Sequence, residues 1–159
     1  MNQAILTHFR SSALMSRIVL KGIEPEQWDF ISPILGSSVN WQVGHILLSK
    51  TIFGLELVTG EIPAWIDLEL LKCCYDRGSS AVTLPLQHPD KNHLLSLMQQ
   101  LDEKLEQTIP QVNPDNWNDL VLSPIPIVKT RGESALFAGG HQMYHNGQIA
   151  LIKKLMRPI

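Results

Sequence analysis

The chain has 159 residues, 44% hydrophobic and 6% aromatic, which suits one domain, 1–159, with a sizeable buried core. Its formal charge of -2 gives no electrostatic reason to expect nucleic acid or an anionic membrane as partner, and no apolar run approaches the roughly 20 residues that span a bilayer. Cys73 and Cys74 are adjacent and cannot form an ordinary disulfide staple, which points to a reducing, cytoplasmic setting.

Taken in order, the first helix is expected from about Gln3 to Lys21, stopping at Gly22. Before Glu24 this segment carries Arg10, Arg17 and Lys21 and no acid, which imitates a targeting peptide. Ile5, Phe9, Ser12, Ser16, Val19 and Leu20 nevertheless recur at helical spacing, so a first bundle helix is the preferred reading. Glu24–Trp28 reads as a short turn with Pro25 at a first helical position, and Pro33 and Gly36 break the chain. The second helix starts at Ser37 or Ser38 as N-cap and runs to about Thr59 before Gly60. Trp41, His45, Leu48, Ile52 and Leu55 share one side of it. Residues 60–87 are the least regular stretch, with a short helical piece over Trp65–Tyr75, and serve either as a lid or pocket wall or as a solvated crossover. The third long helix covers about Pro89 to Ile109, with Leu94, Met98, Leu101 and Leu105 as its core stripe, and His88 and His93 outside that stripe. Residues 110–129 form a Pro- and Asn-rich connection anchored by Trp117, with Ser123–Val128 extended. The fold class expected is all-α, a four-helix bundle with long connections.

The last helix opens with the capping box Thr130-Arg-Gly-Glu133 and closes with Lys153, Lys154 and Arg157 before Pro158. Phe137, Ala138, His141, His145, Gln148, Ile149, Ile152 and Leu155 fall on one face, so His141 and His145 lie one turn apart inside an apolar stripe. Packed core histidines explain such a pair as readily as a metal site does. His45, on the core-facing side of the second helix, is the third imidazole that would decide for a metal. Three neutral imidazoles would leave coordination positions open for water or substrate, as in a catalytic site. Glu56 is about 16 Å further along the second helix and cannot join His45 on an unbroken helix. Gly139, Gly140 and Gly147 each cost this helix about 1 kcal/mol relative to alanine; close approach of another helix, or of a partner subunit, would explain them.

Asn40-Trp-Gln-Val-Gly-His45-Ile, followed by His141-x-x-x-His145-x-Gly-Gln148-Ile, resembles the DinB-like (DinB/YfiT) superfamily. The likeness extends to Gly22–Trp28, Pro33 and Gly36, and so covers nearly the whole chain. The resemblance implies a four-helix bundle in which His45, His141 and His145 bind a divalent metal ion, with nickel, zinc and iron as its metals, and a homodimer. It also implies a metal-dependent enzyme such as a thiol S-transferase acting on small electrophiles. A metal-dependent hydrolase, or a non-catalytic metal- or ligand-binding bundle, is the alternative. Around the site, Trp41 is expected to wall the pocket or pack the bundle. Tyr144 would donate to a bound anion or cover the core, and Gln148 would orient a ligand or bond within the core. A small-molecule substrate such as a low-molecular-weight thiol is the expected partner.

Overall fold

The computed structural model describes residues 1–83 and 88–156. Among the described residues, four long helices surround the core, and a fifth, short one packs on their outside. Helix α1 is Asn2–Leu20. Helix α2 runs without a break through Val39–Ser49, a π-helical stretch Lys50–Glu56 and a last turn Leu57–Thr59. The short helix α3 is Leu68–Tyr75, α4 is Lys91–Thr108 and α5 is Arg131–Leu155. Among the described residues there is no strand, only an isolated bridge between Leu120 and Thr130.

The helix ends follow from local chemistry. The side chains of Ser38, Asp67 and Asp90 each accept from a backbone N–H of the first turn they precede. Thr130 and Glu133 satisfy each other's backbone donors in the expected capping box. Gly60 ends α2 in the left-handed conformation (φ 81°), which costs glycine little.

Pair contacts give the direction of each helix. His8 lies against Gly139, Ser12 bonds Gln142 and Ser16 bonds Asn146, so α1 and α5 run parallel. Phe53 touches Phe137 and His45 touches His141, so α2 runs antiparallel to α5. Arg10 pairs with Glu106 at one end, and Lys91 Nζ donates to the Ile23 carbonyl at the other, so α4 is antiparallel to α1. The order is up, down, down, up. Because α2 and α4 are parallel, the chain between them must climb the length of the bundle, and it carries α3 with it.

Three expectations change. First, α2 is not a one-sided stripe: Val39, Val43, Ile46, Leu47 and Leu48 are all at most 2% exposed, because α3, α4 and α5 wrap it. Second, Ser123–Val128 is not extended throughout. The Val128 amide donates back to the Ile125 carbonyl and Ser123 Oγ accepts from the Ile125 amide, so the two prolines fold into a turn. Third, the α1–α5 contact is polar as well as oily. Ser12, Gln142, Ser16 and Asn146 form a closed, buried hydrogen-bond network with bonds of 2.8–3.1 Å. Trp117 does anchor its connection, fully buried, with its indole N–H donating to Asn2 Oδ1 at 2.6 Å. Residues 84–87 of the expected 60–87 wall, and Arg157 and Pro158 beyond the last helix, lie outside the described residues.

Parallel packing also reassigns Lys153. Rather than serving its own helix end, its Nζ donates to the Val19 carbonyl at 3.1 Å and to the Lys21 carbonyl. It thus satisfies the C-terminal acceptors of the neighbouring helix.

Candidate metal centre

His45 from α2 and His141 and His145 from α5 converge. One nitrogen from each ring lies within 4.8 Å of the others, and the ring centroids are 4.4–5.1 Å apart. His145 is buried; His45 and His141 are half-buried. His93 is exposed on α4, His88 pairs with Asp29 at 3.3 Å, and Glu56 stands outside the cluster.

Two rings are held by their Nδ1 atoms. His45 Nδ1 lies 2.6 Å from the Tyr75 carbonyl oxygen, which can only accept, so His45 carries its proton there. His145 Nδ1 lies 2.5 Å from Gln42 Oε1, and Gln42 Nε2 donates to Ser37 Oγ at 2.9 Å; with the amide in this orientation its oxygen accepts from the histidine. In both rings Nε2 is left with its lone pair. His145 Nε2 sits 3.1 Å from His141 Nε2. His141 Nδ1 is buried with no hydrogen-bond partner among the described residues. A nitrogen pair this close, with one lone pair already fixed, needs a proton or a cation between its members.

Electrostatics favour the neutral, ligand-ready rings. Burial, then the neighbouring His45, lowers the His141 pKa to about 4. Burial, then His141 and His45, lowers that of His145 to about 3. Burial likewise lowers His45, against the opposing pull of the Tyr75 carbonyl and Asp76. A tetrahedral ion with Zn–N bonds of about 2.1 Å would hold its nitrogens about 3.4 Å apart. The His141–His145 pair is already near that spacing, and one His45 nitrogen lies within 4.8 Å of both. The residues present fit a divalent cation.

The supporting residues are those that sequence reasoning passed over. Gly44, one residue before His45, has the Tyr75 ring against it: a Cβ there would meet three ring atoms at 2.4 Å. That close approach, with the Tyr75 hydroxyl donating to Asn40 Oδ1 at 2.9 Å, places the carbonyl that holds His45. Gln42, three residues before His45, could have been noticed as a polar residue among Val39, Val43 and Ile46.

Trp41 stacks on His45, with centroids 4.8 Å apart and planes at 10°, and its indole N–H donates to Ser79 Oγ at 2.9 Å. The Tyr144 ring stands edge-on to His145 at 5.1 Å, and its hydroxyl accepts from Gln148 Nε2 at 3.0 Å. Tyr144 is 64% exposed, so it does not cover the core. Trp41, Tyr144, Gln148, Ser79 and Ser80 line a cavity of about 290 Å³ beside His145. Part of the 60–87 segment is therefore a pocket wall. Cys73 is exposed and Cys74 is buried in the core, its pKa raised chiefly by that burial; neither belongs to the cluster.

The DinB superfamily profile matches residues 8–149. The chain belongs to the DinB superfamily. The fold matches a crystal structure of a conserved protein from Enterococcus faecalis, with a TM-score of 0.75 at 13% identity, covering 98% of this chain and 96% of that one. At that identity the likeness speaks for the fold alone. No curated protein matches the chain.

Proposed function

We propose that this DinB superfamily member is a metal-dependent enzyme in which His45, His141 and His145 hold a divalent ion, and that it transfers a low-molecular-weight thiol onto a small electrophile. The observation that carries the reading is the convergence of three imidazoles, with His145 lining an open cavity and with Nδ1 of His45 and His145 held on acceptors so that each Nε2 keeps its lone pair. A divalent ion held there would lower the pKa of a bound thiol and keep the thiolate in place.

The chain's own residues do the rest. Gln42 and the Tyr75 carbonyl keep His145 and His45 in one tautomer and one orientation. Trp41 and Tyr144 give the cavity two aromatic walls, and Ser79 and Gln148, each hydrogen-bonded to one of those rings' polar atoms, give it a polar lining. Among the described lining residues there is no Asp or Glu. A hydrolase would want such a carboxylate to deprotonate an attacking water, so transfer is favoured over hydrolysis.

The test is to purify the chain without affinity-tag metals and quantify its bound ions. Thiol conjugation to a model electrophile is then assayed with Mn, Ni, Zn or Fe(II) restored. Conjugation should disappear in His141→Ala and survive in His93→Ala. Metal occupancy without turnover of thiols or esters would instead mark a binding protein, and ester cleavage without conjugation a hydrolase.

A further inference from the structure

The cavity beside His145 brings no ion pair to whatever enters it. Among its described lining residues there is no Asp, Glu, Lys or Arg. Its volume of about 290 Å³ is that of about ten waters, which admits a group of about a dozen heavy atoms and excludes a nucleotide or a folded peptide. Two of its walls are flat. The Trp41 ring has one face stacked on His45, with centroids 4.8 Å apart. The Tyr144 ring meets His145 edge-on and is otherwise largely uncovered. A flat, apolar body lies well against two such rings.

The hydroxyls of the lining share one direction of bonding. An indole N–H can only donate, so Ser79 Oγ accepts from Trp41 Nε1 at 2.9 Å. With both amides in their present orientation, Ser37 Oγ accepts from Gln42 Nε2 at 2.9 Å and the Tyr144 hydroxyl accepts from Gln148 Nε2 at 3.0 Å. A hydroxyl that accepts still has its own hydrogen to give. Among the described residues, no acceptor takes the O–H of Ser37, Ser79 or Tyr144. The cavity therefore offers a ligand three O–H donors. Such a lining suits an oxygen acceptor that carries no full charge.

On the thiol transfer proposed above, the thiolate already brings one negative charge to this site. A second anion, in a lining without a cation, would meet that charge uncompensated and partly out of water. We infer that the molecule this cavity takes, and so the acceptor of the thiol, is an uncharged, flat, conjugated carbonyl compound (an enone). Its body lies against Trp41 and Tyr144, and its carbonyl oxygen takes O–H donors of the lining. The reaction balances with no further reactant. The thiolate sulfur adds to the β-carbon, and the C=C pair moves onto the carbonyl oxygen as an enolate. The α-carbon then takes from water the proton that the thiol gave up. Thiol and enone become one thioether ketone; nothing is oxidised and no group leaves. Negative charge grows on the carbonyl oxygen as the S–C bond forms, and an O–H donor holds that oxygen more strongly than it holds the ketone. An alkyl halide would leave these donors without an oxygen, and an epoxide has no plane to lie against the rings.

Calorimetry on the full chain, with zinc restored and no thiol present, tests the choice of ligand apart from turnover. The probes are benzylideneacetone, its para-carboxylate, and the hydrocarbon with a methylene in place of the carbonyl. Benzylideneacetone should bind once per chain, and the carboxylate at least about 10-fold more weakly. Tyr144→Phe and Ser79→Ala should each weaken binding of the ketone about 3–10-fold while holding that of the hydrocarbon, which reports the aromatic walls, within about twofold. With mercaptoethanol added, kcat/KM corrected for the uncatalysed rate should favour the ketone over the carboxylate by the same factor as binding. Equal binding of ketone and carboxylate, no binding of the ketone at millimolar concentration, or variants that weaken ketone and hydrocarbon alike would overturn the inference. The expected binding pattern without conjugation would instead end the thiol-transfer reading and leave the ligand class standing. Conjugation confined to charged acceptors would do the reverse.

Discussion

Gly44→Ala tests the link between helix packing and ligand placement. The new methyl would start 2.4 Å from three Tyr75 ring atoms and must gain about 1 Å to reach ordinary contact. Helix α2 cannot yield, since Val43 and Leu47 beside it are at most 1% exposed. Tyr75 must therefore move, and it is fully buried and held at both ends, by its hydroxyl on Asn40 and its carbonyl on His45. Overpacking costs about 1–3 kcal/mol, and a broken buried hydrogen bond about 1–3 kcal/mol more. Alanine's better helix propensity returns about 1 kcal/mol. The net expectation is a loss of about 3 kcal/mol, or about 6–12 °C in Tm for a chain of this size. Urea denaturation followed by tryptophan fluorescence on metal-free protein measures it, and metal titration should show weaker binding because the His45 carbonyl partner has shifted. A variant as stable as the parent, with unchanged metal affinity, would refute the reasoning.

Gln42→Leu leaves the buried His145 Nδ1–H without an acceptor, so metal affinity measured against a competing chelator should fall about 10–100-fold, with Gln42→Glu restoring most of it; equal affinity for Gln42→Leu would show that the amide positions nothing. Lys50, 1% exposed, is paired with Asp102, and burial lowers its pKa against the opposing pull of that carboxylate. Asp102→Ala should therefore cost about 3 kcal/mol or more, while the apolar double variant Lys50→Met with Asp102→Leu should recover most of the loss; a single variant no worse than the double would count against a buried charge. Acid should weaken the metal-free fold through the three histidines. Their folded pKa values lie below the unfolded value of about 6.5, so their contribution is intact above that pH and is lost as pH falls from 6.5 toward about 4 and about 3, where His141 and His145 titrate. Between pH 6.5 and 5.5 each contributes at most about 1 kcal/mol after allowance for partial solvent access, and denaturation of a His141→Asn/His145→Asn variant should show a shallower pH dependence than His93→Asn; parallel slopes would exclude the cluster as the cause.

The helix boundaries and the three histidines were legible in one dimension because both rest on local rules. An N-cap, a stop glycine and a four-residue spacing act within one or two turns, so a cap at Ser37 or Ser38, Gly60 and the His141–His145 pair could be read directly. The parts that were not legible depend on which helix lies beside which. Gln42 reaches His145 across 103 positions of sequence, and the Tyr75 carbonyl reaches His45 across 30. Gly44 and Gly139 look alike as letters, yet each answers to a different ring.

By itself, the sequence determined that this chain forms amphipathic helices with two core-directed histidine stripes, because periodicity and capping are properties of a single segment. Only the tertiary structure decided that α1 and α5 run parallel, that Gln42 rather than a residue on α5 holds His145, and that Gly140 and Gly147 face no neighbour among the described residues. Those outcomes turn on distances between segments far apart in the sequence, and such distances exist only once the whole bundle has packed.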